Sequence, residues 1–206
     1  MVALKNAAGR VAWRTGNYNS SVPDDDGTDV LDDIPESENC GNSGEMCYND
    51  ISGLQSYQAV LSLVEKKLSG DFSLVPAFKA VKEFDLPAPA RTTGWFMPSA
   101  GQLYDLFDAT CAIGDFSGYD WTASNEWRFD WPGESVLRHL NGYFGAMDAD
   151  VFTEENVRYW TTTEQWAGNV FAFLLTKNEG RTVLRSIRAP KGGQEGYYNV
   201  RPILAF

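Results

Sequence analysis

Apolar and polar positions follow a strand-like pattern most clearly in the last quarter of the chain. Tyr159-Trp160-Thr161-Thr162-Thr163-Glu164 leads into the run Val170-Phe171-Ala172-Phe173-Leu174-Leu175. A glycine-bearing turn, Asn178-Glu179-Gly180, is followed by Arg181-Thr182-Val183-Leu184-Arg185-Ser186-Ile187-Arg188. A glycine-rich loop from Gly192 to Gly196 then precedes Asn199-Val200-Arg201-Pro202-Ile203-Leu204-Ala205-Phe206. β-Branched and aromatic residues set between turn formers predict strand, turn, strand, loop, strand. The apolar end is expected to close a sheet, since free termini are otherwise polar and frayed.

Upstream, the period changes to three and four. Ser52 and Gln55 are spaced as a capping box, and Leu54, Tyr57, Leu61, Val64 and Leu68 form one helical face that stops at Ser69-Gly70. A second helix is predicted from about Pro76, with Val75, Phe78, Val81 and Phe84 on one side. Leu86-Pro87-Ala88-Pro89 ends it, because proline lacks an amide hydrogen and restricts its predecessor. Around Trp95-Phe96-Met97 a short strand is expected. Ser99 and Gln102 then form a second capping-box pair, with Pro98 placed to staple on Leu103. That helix should carry Leu103, Leu106 and Phe107 inward and end before Gly114. Tyr119, Trp121, Trp127 and Trp131 among turn residues predict a long aromatic loop over 115–133. A further helix from about Ser135 to Phe144 would align Leu137, Leu140 and Phe144. Residues 1–50 are weakly patterned apart from Arg10-Val11-Ala12-Trp13-Arg14, which predicts an N-terminal arm or extension packed on a domain spanning 51–206.

At 206 residues and a net charge of −11, the chain fits one sizeable domain with an acidic surface. The charge is uneven: Asp24 to Asp50 holds ten carboxylates and no Lys or Arg. Nucleic-acid binding is not expected, because it needs a basic footprint. No apolar run reaches the length of a membrane span, so membrane insertion is not expected either. The first residues lack the long apolar region of a secretory signal, which leaves the route to any export open. Asp24-Asp25-Asp26-Gly27-Thr28-Asp29 resembles a calcium loop in composition only, since Val22 stands where the first ligand would be required. No metal ligand and no cofactor are assigned. Cys40 and Cys47 bracket the loop Gly41-Asn42-Ser43-Gly44. Either they are bridged, which would stabilise by about 2–3 kcal/mol, or both are thiols in a reducing compartment.

Two segments resemble a known family. Gly94-Trp95-Phe96-Met97-Pro98-Ser99-Ala100-Gly101-Gln102-Leu103 is similar to the strand-to-helix element of C-type-lectin-like adhesin domains. Tyr159 to Glu164, with Val200 to Phe206, resembles their C-terminal signature. These domains belong to the branch of the C-type lectin fold that also holds the formylglycine-generating enzymes. The resemblance covers about residues 50–206. It implies an α+β, C-type-lectin-like fold, with small twisted antiparallel sheets, flanking helices and long loops. It further implies a non-enzymatic adhesin that binds a protein or glycan receptor at a cell surface, in an extracellular, surface or virion location. Some members are phage tail-fibre domains or variable proteins of diversity-generating retroelements, whose mutated residues lie between the two C-terminal motifs.

On that reading the binding residues are Gln165, Trp166, Asn169, Phe171, Phe173, Leu175, Arg185, Arg188, Tyr197 and Tyr198. Successive strand side chains point to opposite faces, so Val170, Ala172 and Leu174 facing the core would turn Phe171, Phe173 and Leu175 outward. Aromatic and arginine side chains on a rigid strand are the composition of an interaction hot spot. The opposite register, with both phenylalanines inside, stays open from the sequence. Arg201 reads as a structural hydrogen-bonding residue.

Catalysis is not expected. His139 is the sole histidine, it falls in a helical stretch, and no nucleophile motif accompanies it. Formylglycine-generating enzymes use a late cysteine pair, and this chain has no cysteine after Cys111. An enzyme of that branch and a structural pilus or fibre module remain the alternatives. The ligand, the oligomeric state and any diversification of the C-terminal segment are open at this stage.

Overall fold

The computed structural model describes residues 1–3, 5–16, 31, 34, 44–111, 129–132, 134, 136–152, 157–166, 168–178, 180–192 and 197–206. The acidic stretch Asp24–Asp29, Cys40 and the aromatic residues Tyr119, Trp121 and Trp127 fall outside these residues, so the Cys40–Cys47 pairing does too.

The C-terminal pattern folds as its period requires. Strands β3 (Arg158–Trp166), β4 (Asn169–Asn178) and β5 (Arg181–Pro190) form successive antiparallel hairpins. Gly180, at φ 80°, sits in the β4–β5 turn, where the left-handed conformation costs glycine little. Strand β6 (Tyr197–Val200) lies on the other side of β3, with β1 (Ala8–Ala12) beyond it. Strand β2 (Phe129–Pro132) takes the far edge beside β5, so part of the stretch expected to be loop is strand. The order among the described strands is β1-β6-β3-β4-β5-β2. One pairing departs from the expected antiparallel pattern. Strand β6 runs parallel to β3, with Tyr159 opposite Asn199. Six residues, 191–196, separate β6 from β5 in the sequence, more than a tight two-residue hairpin turn.

Both faces of the sheet are covered. On one side Val170 and Ala172 pack with Trp160, with Tyr57, Val60 and Val64 of helix α2 (Gly53–Lys67), and with Phe78 and Val81 of α3 (Pro76–Lys82). On the other, Phe171, Phe173 and Leu175 pack with Tyr48 of α1 (Gly44–Asn49), Leu103 and Phe107 of α4 (Ala100–Cys111), and Phe144 of α5 (Asn141–Ala146). The choice of register therefore does not arise. Alternate residues of β4 fill two cores in an α+β fold with helices on either face. The helix expected over 135–144 is a π turn at Val136–Leu140 running into α5.

Residues 1–50 contribute to the same core where they are described. Trp13 and Leu31 are fully buried, Ile34 is nearly so, and β1 joins the sheet through β6. Met1–Ala3 also pairs with the C-terminal segment: the Ala3 amide donates to the Pro202 carbonyl at 2.9 Å and the Leu204 amide to Met1 at 2.9 Å. On its other side, Ile203 bridges to Phe96.

The two capping-box sequences behave differently. At α4 the box forms: the Ser99 amide donates to Gln102 Oε1 at 3.0 Å, and the Gln102 amide points back to Ser99 Oγ at 3.4 Å. At α2 it does not, because Asp50 Oδ1 accepts the Ser52 amide at 2.7 Å, the donor that Gln55 would take, as well as the Ser52 hydroxyl at 2.5 Å. Ser69 and Gly70, both at positive φ, then terminate α2, with the Gly70 amide donating to Val64 at 3.0 Å.

Candidate functional site

The segments that carried the family resemblance meet in space. Thr162 donates its amide to the Pro98 carbonyl at 2.9 Å. Thr163 Oγ1 accepts the Ala100 amide at 2.7 Å and donates to Asp50 Oδ2 at 2.5 Å. Ser99 Oγ donates to the Asp50 carbonyl at 2.6 Å. Asp50 thus joins the start of α2, the start of α4 and strand β3. Close approach also explains Gly101. A Cβ there would collide with the carbonyl oxygens of Tyr48 and Asp50. Gly101→Ala is expected to lower stability by about 1–3 kcal/mol in thermal melts, since neither backbone can yield easily.

Strand β3 is a structural frame rather than a reactive surface. Trp160 Nε1 donates to the Val11 carbonyl at 2.8 Å, and Trp13 Nε1 donates to Thr161 at 3.0 Å. Arg201 is buried and donates to the carbonyls of Ala3 at 2.9 Å and Asp150 at 2.6 Å, with its guanidinium beside the Phe144 and Phe152 rings. The structural role read for Arg201 holds. Burial pushes the Arg201 guanidinium below its usual pKa and the Tyr159 phenol above its own. Glu164 and Lys191 form a fully buried ion pair. Lys191 Nζ also donates to the Leu31 carbonyl at 2.7 Å, and Glu164 Oε2 accepts the Ile34 amide at 3.0 Å.

The ten residues expected to form a surface separate into groups. Phe171, Phe173, Leu175, Tyr198 and Gln165 are buried, so their expected outward placement is corrected. Phe171, Phe173 and Leu175 belong to the α4-side core, and Tyr198 stacks on Trp160 with centroids 4.1 Å apart. Gln165 occupies a register shift between Glu164 and Trp166. Arg185 is half-buried, and the Tyr197 side chain falls outside the described residues. Directly opposed residues of paired strands project to the same face. Phe171 opposes Arg188 and Leu174 opposes Arg185, so the two arginines lie on opposite sides of the sheet.

What remains together is Trp166, Asn169 and Arg188. Trp166 opposes Asn169 where β3 turns into β4, and the Arg188 guanidinium lies 5.2 Å from the Trp166 ring centroid. Trp166 is 40% exposed and Arg188 is exposed, while Asn169 is half-buried. A tryptophan face, an amide and a cation at one end of a rigid sheet can stack on and hydrogen-bond a ligand. His139 is exposed, and its Nε2 accepts from Arg138 Nε at 3.2 Å. Among the described residues no group of three or more His, Cys, Asp or Glu side chains could hold a metal ion. No described helix is long and apolar enough to cross a membrane.

No family model matches the chain, and no curated protein does. Among solved structures it is similar in fold to a fimbrial protein from Bacteroides ovatus, at 17% sequence identity and a TM-score of 0.50. That likeness covers 96% of this chain and 33% of the fimbrial protein, so the chain spans about a third of that protein's length.

Proposed function

We propose that this chain is a non-catalytic, C-type-lectin-like module of a surface fibre, which recognises a protein or glycan receptor through the Trp166 end of its sheet. The observation that carries the surface-fibre reading is the likeness in fold to a fimbrial protein over nearly the whole of this chain, and the C-type-lectin-like reading rests on the sequence resemblance. The exposed Trp166–Arg188 pair supports the placement of recognition, because it is aromatic, cationic and held on paired strands. A rigid platform lowers the entropy lost on binding, so few anchors are needed. A purely structural fibre module is the second reading, which the same likeness favours.

The test is flow cytometry of fluorescently labelled protein on epithelial cells. Saturable binding is expected, with Trp166→Ala weakening it at least about tenfold, or about 1.4 kcal/mol, at an unchanged melting temperature. Concentration-dependent fibre growth by a chain that binds no cells would instead select the structural module.

A further inference from the structure

The connection that follows α3 is tied at its two stems and left loose between them. Trp95 Nε1 donates to the Leu86 carbonyl at 2.7 Å and its ring meets Phe84 edge-on, which joins the stems. The Thr93 amide donates to the Ala205 carbonyl at 3.0 Å, and the Ala205 amide returns a bond to Thr93 Oγ1 at 3.0 Å, which pins the second stem to the C-terminal segment. Between the stems Pro87, Ala88, Pro89, Ala90 and Arg91 are all exposed. None of their amides donates to the backbone of a described residue, and Thr92 Oγ1 to the Pro89 carbonyl, at 2.8 Å, is the bond that reaches into the stretch. Opening so few bonds costs little, and exposed tips of small and polar residues are where chains are cut.

The sequence of the stretch suits an endopeptidase, which binds its substrate extended. Proline fixes φ and turns its predecessor to extended backbone, so Pro87 and Pro89 favour that form ahead of Arg91. Arg91 itself stands at φ 65°, a left-handed conformation that is costly for a residue with a Cβ. Drawing it out as an extended chain releases that strain. Its guanidinium forms no salt bridge among the described residues, so it is free for the acidic pocket by which such enzymes select arginine.

The other described lysines and arginines are placed differently. All but Lys5 lie in helices or strands or are buried. Lys5 is exposed, but the Asn6 amide beside it donates to Asp150 Oδ2 at 2.8 Å and the Ala7 amide to the Val200 carbonyl at 2.8 Å. Between Lys82 and Arg128 the chain has no basic residue except Arg91. We propose that the Arg91–Thr92 peptide bond is a processing site for an arginine-specific endopeptidase, and that the cut protein persists as two chains. Water adds across the bond: the Arg91 carbonyl carbon gains a hydroxyl and becomes a carboxylate, and the Thr92 nitrogen takes the proton as an amine. The parts stay joined by the β1–β6 pairing, by Asp50 on Thr163 and by Lys191 on Leu31. The Trp166 end lies wholly within 92–206, so cutting and recognition can be tested apart.

The test is native digestion of the whole chain at a low protease ratio, with trypsin as the probe and a lysine-specific endopeptidase beside it, read by intact mass against time. Trypsin is expected to cut after Arg91 at least about tenfold faster than after any other residue, because the remaining sites need wider opening. Fragments 1–91 and 92–206 should co-elute in gel filtration and separate only in denaturant. The lysine-specific enzyme should leave the protein whole over the same period. Arg91→Gln, at an exposed position, should abolish the early cut at an unchanged melting temperature. A first cut elsewhere, equal speed with the lysine-specific enzyme, or fragments that separate without denaturant would each overturn the proposal.

Discussion

Phe173→Ala is expected to remove about 3–5 kcal/mol of stability, the usual cost of emptying a buried aromatic site. Phe173 is fully buried, 5.6 Å from the Phe107 ring and 6.4 Å from Tyr48. It stands where β4 meets α1 and α4, so the cavity would open between elements that cannot collapse independently. A domain of this size has only about 5–15 kcal/mol in total, and the change consumes a large part of it. Urea denaturation followed by tryptophan fluorescence gives the loss directly. A cost below about 1 kcal/mol would mean that the β4 phenylalanines are not core residues.

Lys191→Met should be comparably severe through a different cause. The Lys191 ammonium is buried against Glu164, donates to the Leu31 carbonyl and lies 5.0 Å from the Trp13 ring centroid. Removing it strands the Glu164 carboxylate, which is 1% exposed. Breaking one half of such a pair costs about 3–5 kcal/mol, while replacing both halves by apolar residues is often close to neutral. The double variant Glu164→Leu with Lys191→Met should therefore recover much of the loss, and the mismatch with additivity measures the coupling. Equal stability of the single and double variants would show that the pair contributes through packing alone.

The local elements were legible in the chain because their signals are local. The Ser99–Gln102 box, the face of α2 and the β3–β4–β5 hairpins follow from spacing and turn chemistry. The failed box at Ser52 shows the limit of such signals. Asp50, two residues earlier, offers Ser52 a nearer acceptor, and Asp50 is held there by Thr163. The covering of both sheet faces is legible in Val170 to Leu175 only when the run is taken as continuously apolar rather than alternating. A nearly continuous apolar run is itself the signature of a strand buried on both sides, and that signal pointed to the structure. The Glu164–Lys191 pair joins residues whose distant placement no periodicity encodes, although an acid inside an otherwise uncharged strand stretch hinted at a partner. Val2, Trp95, Leu106 and Phe144 wall one apolar groove although they stand far apart in the chain, and only the fold brings them together.

Strand β4 is interior, and Arg188 stands exposed at the end of the sheet where the proposed recognition surface lies. Single-cysteine substitutions at Phe173 and Arg188, labelled with a maleimide under native conditions and read site by site by peptide mass mapping, test this placement most directly. Position 188 should label at the rate of a free thiol, while position 173 should react only as the protein unfolds, slowing further when stabilising osmolytes are added. Rapid native labelling at 173, or protection at 188, would contradict the account.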